Sequence, residues 1–156
     1  MTEQPEACAE ARESIQKTVS EPVAKLLLNH SHLSLVQLET LLADSISSEK
    51  TSKKSQRRLF RPTGKTASRG AYNRTLIQAQ NNVIRSIYTI LLMGYIGLFD
   101  TSGLQPFLEL SDNLQTYIGE IRTAQPKDAR ALEQLGGRLW EAISSLARRE
   151  SFKGIL

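Results

Sequence analysis

Apolar residues recur along this chain at the three- and four-residue steps of an α-helix. A strand-like run shows only briefly, at Tyr95 to Phe99. Ser20 followed by Pro22 signals a helix start, because proline fits the first turn. PVAKLLLNH then predicts a short apolar helix ending near His30. The next helix is predicted from Ser34 to Ser47. Ser34 and Gln37 form a capping box, with Leu33 and Leu38 as its hydrophobic staple. Leu35, Leu38, Leu41, Leu42 and Ile46 give it an apolar face, which leaves Glu39 and Asp44 on the solvent side.

Residues 71 to 93 predict a long helix with two distinct faces. At about 100° per residue, Leu76, Ile77, Ala79, Val83, Ile84, Ile87, Tyr88, Ile90 and Leu91 share one broad apolar arc. Arg74, Gln78, Asn81, Asn82, Arg85 and Thr89 fill the opposite arc. Gln80 falls inside the apolar arc and needs a buried partner there; Leu92 falls on the polar side as the helix ends at Gly94. Two further helices follow. Leu104 to Arg122 carries Phe107, Leu110, Leu114, Ile118 and Ile121, and Pro126 starts a last helix with Leu132, Leu135, Leu139, Ile143 and Leu146 on one face. Gly136 and Gly137 interrupt that helix at a cost of roughly 1–2 kcal/mol, for close packing or a kink.

Between the predicted helices, residues 47 to 70 read as a long basic loop broken by Pro62, Gly64 and Gly70. Its GKT at Gly64 to Thr66 is not a phosphate loop, because position 59, where the first glycine belongs, is Leu59. Residues 1 to 19 read as a loose acidic lead-in, with Cys8 as a bystander thiol and no signal-peptide core. A single cysteine excludes an internal disulfide and a multi-cysteine zinc site. The apolar run after Ser86 is thirteen residues, and a span needs about 20, so no membrane partner is expected.

Charge changes the picture most. Residues 50 to 99 hold ten Lys/Arg and no Asp or Glu, whereas the chain as a whole has 20 basic and 16 acidic residues. A cationic centre between acidic flanks predicts a polyanionic partner. The polar arc of the long helix suits duplex DNA: Asn and Gln pair bidentately with adenine, and Arg with guanine, in the major groove. Lys53, Lys54, Arg57, Arg58, Arg61, Lys65 and Arg69 are placed to grip phosphates without reading sequence. Phe60 and Tyr72 lie among them, either to stack on unpaired bases or to anchor the loop and helix start to the core; the second is expected. The catalytic inventory is thin. His30 and His32 have no Cys, Asp or Glu at metal-ligand spacing, and no acid pair or activated nucleophile stands out, so neither enzyme nor cofactor is expected.

The end of the long helix reads Val83, Ile87, Ile90, Gly94, Tyr95, Ile96. Here the chain resembles the winged helix-turn-helix DNA-binding proteins of transcription-regulator type, over Ser34–Ser47 and Arg74–Asp100, about a third of its length. The resemblance implies that Arg74, Gln78, Asn81, Asn82, Arg85 and Thr89 read bases from a recognition helix, and that a wing strand opens at Tyr95. Two departures stand beside it. A basic loop of more than twenty residues separates the two helices, and the Asp100-Thr-Ser-Gly wing tip has no Lys or Arg, so the loop takes over the wing's contact.

The expectation is a mostly α protein: a loose segment 1–19, a winged-helix-like DNA-binding core 20–102 with a reduced wing, and a C-terminal helical pair 103–156. Leu132, Leu135, Leu139, Ile143 and Leu146 would form a homodimer face. The expected role is a cytoplasmic transcriptional regulator, nucleoid-associated in a prokaryote. Two alternatives stay open: an RNA-binding or ribonucleoprotein component, and a helical adaptor docking an acidic protein.

Overall fold

A computed structural model describes residues 3–49, 57–63, 67–97, 101–112 and 129–147. The chain is mostly α-helical, and no strand occurs among the described residues. The helices are α1 (Glu3–Ser20), α2 (Pro22–Asn29), α3 (Leu35–Glu49), α4 (Arg69–Tyr95), a helical stretch at 105–112 (α5), and α6 (Ala129–Ala147). Short 3-10 turns occupy Arg57–Phe60 and Thr101–Leu104. Two compact units divide the chain, Met1–Ile87 and Tyr88–Leu156.

The core of the first unit comes largely from the segment expected to be loose. In α1, Ala11, Ile15 and Val19 are buried together with Ala43 of α3 and Phe60 of the first 3-10 turn. Cys8, Leu38, Leu42 and Ile46 pack half-buried around them, so Cys8 is a core thiol and not a bystander. The cause is a helical repeat hidden among charges: positions 8, 11, 15 and 19 fall on one face while Glu10, Arg12, Glu13 and Lys17 face outward or sideways. Burying Ile15, Val19 and Phe60 stabilises the unit by about 1.5–3 kcal/mol each. Phe60 anchors the basic segment by its ring rather than offering it for stacking.

Ser20 closes α1 instead of capping α2. Its Oγ donates to the Gln16 carbonyl at 2.5 Å, and Glu21 is the extended residue before Pro22. At the start of α3 the capping box forms reciprocally: Ser34 N–H donates to Gln37 Oε1 at 3.0 Å and Gln37 N–H to Ser34 Oγ at 3.2 Å. Two polar residues of α3, Glu39 and Thr40, are buried. Glu39 was expected in solvent, yet it is 1% exposed and accepts hydrogen bonds from both the N–H and the hydroxyl of Thr63. The chain leaving Phe60 crosses α3 there, so a donor 24 positions away in sequence supplies what water would have supplied.

In the second unit, α6 runs unbroken through Gly136 and Gly137. A Cβ at Gly137 would meet nothing within 4 Å, so no close approach explains that glycine. The side chains of Leu132, Leu135 and Leu146, and residues 113–128, lie outside the described residues. Of the expected dimer face, Leu139 is half-buried and Ile143 exposed, with Trp140 exposed beside it.

Candidate nucleic-acid interface

Helix α4 is positioned from its start. Ser68 caps it, accepting from Ala71 N–H at 3.2 Å through Oγ and from Tyr72 N–H at 2.9 Å through its carbonyl. Tyr72 is buried beside α3, and its hydroxyl donates to the Thr40 carbonyl at 3.3 Å. Two and about three turns on, Ala79 is fully buried and Asn82 is half-buried. The Asn82 amide donates to the His32 carbonyl at 3.0 Å and to Gln37 Oε1 at 3.3 Å. Gln37 therefore serves the α3 cap and the α4 contact together. Thr75 and Ser86, half-buried on this same stripe, turn their hydroxyls back to the Ala71 and Asn82 carbonyls.

The stripe Tyr72–Thr75–Ala79–Asn82–Ser86 is thus the inward face of α4, and it is not the expected one. The apolar arc predicted to be buried lies roughly 120° around the helix from it. Ile77, Val83, Ile84, Ile87, Tyr88, Ile90 and Leu91 are all exposed, as is Gln80, which needs no buried partner. Hydrogen bonding decides the docking: Tyr72 reaches the Thr40 carbonyl, and Asn82 finds acceptors at the α2–α3 junction that an aliphatic side chain could not use.

The proposed base-reading residues divide accordingly. Arg74, Gln78, Asn81, Arg85 and Thr89 are exposed on one edge of α4, and no acidic residue is present on that helix. Asn82 is a correction: it is spent on the α3 contact and holds the helix in place. The phosphate set divides too. Arg69 is exposed in the first turn of α4. Arg58 is half-buried, and one Nη donates to the Ala67 carbonyl at 3.3 Å. The Nε atoms of Arg58 and Arg61 are buried with no hydrogen-bond partner among the described residues, so both stems belong to the fold rather than to a solvated loop. Lys53, Lys54 and Lys65, and the Arg57 side chain, lie outside the described residues.

The wing start is also a correction. Tyr95 is the last residue of α4, not the first of a strand. Ile96 and Gly97 follow as a turn, with Gly97 N–H on the Gly94 carbonyl at 3.1 Å. Gly97 takes φ 71°, a conformation that favours glycine and ends the helix. Residues 98–100 lie outside the described residues.

No family model, curated protein or solved structure matches this chain.

Among the described residues no group of three His, Cys, Asp or Glu could hold a metal ion, and no helix is long and apolar enough to cross a membrane. What the described surface offers is one exposed edge of guanidinium and amide groups on a helix whose own sequence has no Asp or Glu. Such an edge pairs with phosphate oxygens by charge and with base edges by bidentate hydrogen bonding.

Proposed function

We propose that the chain binds nucleic acid, with duplex DNA as the ligand, and acts as a transcriptional regulator in the cytoplasm, at the nucleoid in a prokaryote. The observation that carries this reading is the acid-free edge of α4, where Arg74, Gln78, Asn81 and Arg85 are exposed in sequence with Arg69. In this reading α3 and α4 serve as a winged-helix-like pair that dispenses with a strand wing, and Arg74, Gln78, Asn81, Arg85 and Thr89 face the bases. Lys53, Lys54, Arg57, Lys65 and Arg69 grip phosphates, while half-buried Arg58 and Arg61 shape the segment that carries them. A second copy joins through the Leu132, Leu135, Leu139, Ile143 and Leu146 face of α6, which places two α4 helices at adjacent half-sites. The role is binding and not catalysis.

The test is affinity for duplex DNA as a function of salt. The five phosphate-gripping residues make about five phosphate contacts, which sets a slope of log K on log salt near −4.5. Single-stranded RNA and an acidic polypeptide at matched salt are the other arms. Tighter binding to RNA moves the reading to a ribonucleoprotein component, and tighter binding to the polypeptide moves it to an adaptor. A flat salt response, or no DNA binding at about 50 mM salt, overturns the proposal.

A further inference from the structure

The corner where the chain leaves Phe60 is built against its own stability. Phe60 is buried in the core with α1 and α3, and Arg58 and Arg61 stand on either side of it in sequence. Both arginines are half-buried, and the Nε of each is shut off from solvent with no hydrogen-bond partner among the described residues. A buried donor left unpaired costs free energy that an apolar side chain of similar length would not. Arg58 recovers part of that cost through one Nη on the Ala67 carbonyl. Arg61 makes no hydrogen bond among the described residues. Glu39, buried on α3 where this segment crosses, is held by Thr63 and by neither arginine.

We propose that Arg61–Thr63 is a latch that keeps Arg58 and Arg61 in reserve, and that a chain of phosphates opens it. Phe60 stays in the core as the pivot, and the Thr63–Glu39 pair is the catch that breaks. Both guanidinium groups then swing onto phosphate oxygens. That pairing is charge-assisted and bidentate, stronger than anything either arginine makes in the closed form. Glu39 loses its donors on opening, but water reaches it from the side on which Thr63 is already exposed. Binding therefore carries the cost of opening, and a looser catch means tighter binding. The identity of the polyanion as duplex DNA rests on the nucleic-acid reading. The latch itself needs only closely spaced phosphates.

Two simpler roles fit less well. An arginine kept for structure holds an ion pair or a carbonyl, and Arg61 holds neither among the described residues. An arginine that always grips phosphate stands in solvent, and would not place its Nε beneath the surface.

The experiment is binding of the full chain to duplex DNA and to inorganic polyphosphate across a salt series. On DNA, two arginines delivered by the latch steepen the slope from near −4.5 to about −6. Arg61→Met keeps the half-buried stem and removes the unpaired donor. It should raise the urea midpoint, flatten the slope by about 0.9 and weaken binding about fivefold. Thr63→Ala loosens the catch, so it should lower stability yet tighten binding about fivefold at unchanged slope. The Thr63 N–H, which donates to Glu39 at 3.3 Å, should exchange at least about tenfold faster in the complex than in the free chain. The Ala79 N–H, on the buried face of α4, should not change. Three outcomes overturn the latch: Arg61→Met lowers the midpoint and leaves the slope as it was, Thr63→Ala fails to tighten binding, or the Thr63 N–H keeps its protection in the complex. A chain that shows the latch on polyphosphate and ignores duplex DNA sinks the DNA reading alone. Normal DNA binding that Arg61→Met and Thr63→Ala leave unaltered sinks the latch alone, and binding to neither polyanion overturns both.

Discussion

Thr63 holds a buried carboxylate, and removing its hydroxyl is the sharpest single test of how the basic segment is tied to the helices. Glu39 is 1% exposed on α3 and accepts from Thr63 N–H at 3.3 Å and from the Thr63 hydroxyl. Thr63 itself is exposed, so Thr63→Ala removes a donor while losing little buried apolar area. A hydrogen bond to a charged group contributes about 1.5–3 kcal/mol. Because water can reach the vacated position from the exposed side and replace part of it, the expected loss is about 1–2 kcal/mol. With a urea m-value near 2 kcal/mol/M, the midpoint followed by far-UV circular dichroism falls by about 0.5–1 M at unchanged m. Thr63→Ser keeps the hydroxyl and should stay within about 0.5 kcal/mol of the parent. Glu39→Gln followed by the double variant closes a cycle whose coupling energy should be at least about 0.5 kcal/mol. If Thr63→Ala matches the parent, or if the cycle shows no coupling, the crossing of α3 by the chain after Phe60 is not what holds this segment.

Asn82→Ala should lower stability by about 1 kcal/mol, through the lost donor to His32 and Gln37, and leave the preferred DNA sequence unchanged; Arg74→Ala or Gln78→Ala should instead relax preference at particular base pairs by about 1–3 kcal/mol in competition binding. Ile15→Ala should cost about 2–5 kcal/mol in urea unfolding, because Ile15 is a fully buried member of the α1 core, whereas a loose lead-in would tolerate the change. Gly137→Ala should raise helix stability by about 0.5–1 kcal/mol, read as a higher thermal midpoint, since its Cβ meets open space.

Local signals in this chain were readable and distant ones were not. The Ser34–Gln37 pair specifies its own geometry within four residues, and both reciprocal bonds are present. The long helix was legible to within two residues at each end, because caps and breakers are also local. Its rotation was not. An arc argument assumes that the most apolar face meets the core, and here Tyr72, Ala79 and Asn82 meet it instead, through contacts with Thr40, His32 and Gln37 between 32 and 50 positions away. Glu39 was misplaced for the same reason, since its partner lies 24 residues on. Helix α1 was hidden by composition: Ile15 and Val19 are the only strongly aliphatic residues before the α2 turn, and a helical step between so few is easily lost among charges. Of the candidate site, the exposure of Arg74, Gln78, Asn81 and Arg85 was legible; the half-burial of Arg58 and Arg61 was not, because it depends on Phe60 entering the core.

The rotation of α4 also separates what the fold needs from what function needs. Only Tyr72 and Ala79 of this helix are buried, so packing takes little from its aliphatic content. A helix kept merely for its fold would carry Lys and Glu at positions 77, 84, 88, 91 and 95, where neither propensity nor packing asks for Ile, Tyr or Leu. Exposed groups of that kind lower solubility, and contiguous apolar surface of this sort marks a binding face. The cationic edge has the same logic, since an acid-free helix forgoes the i,i+4 ion pairs that would stabilise it. Substitutions at those apolar positions and on the edge should therefore alter binding while leaving the unfolding midpoint where it is. Substitutions on the inward stripe should do the reverse, and that contrast within a single helix distinguishes a binding element from a structural one.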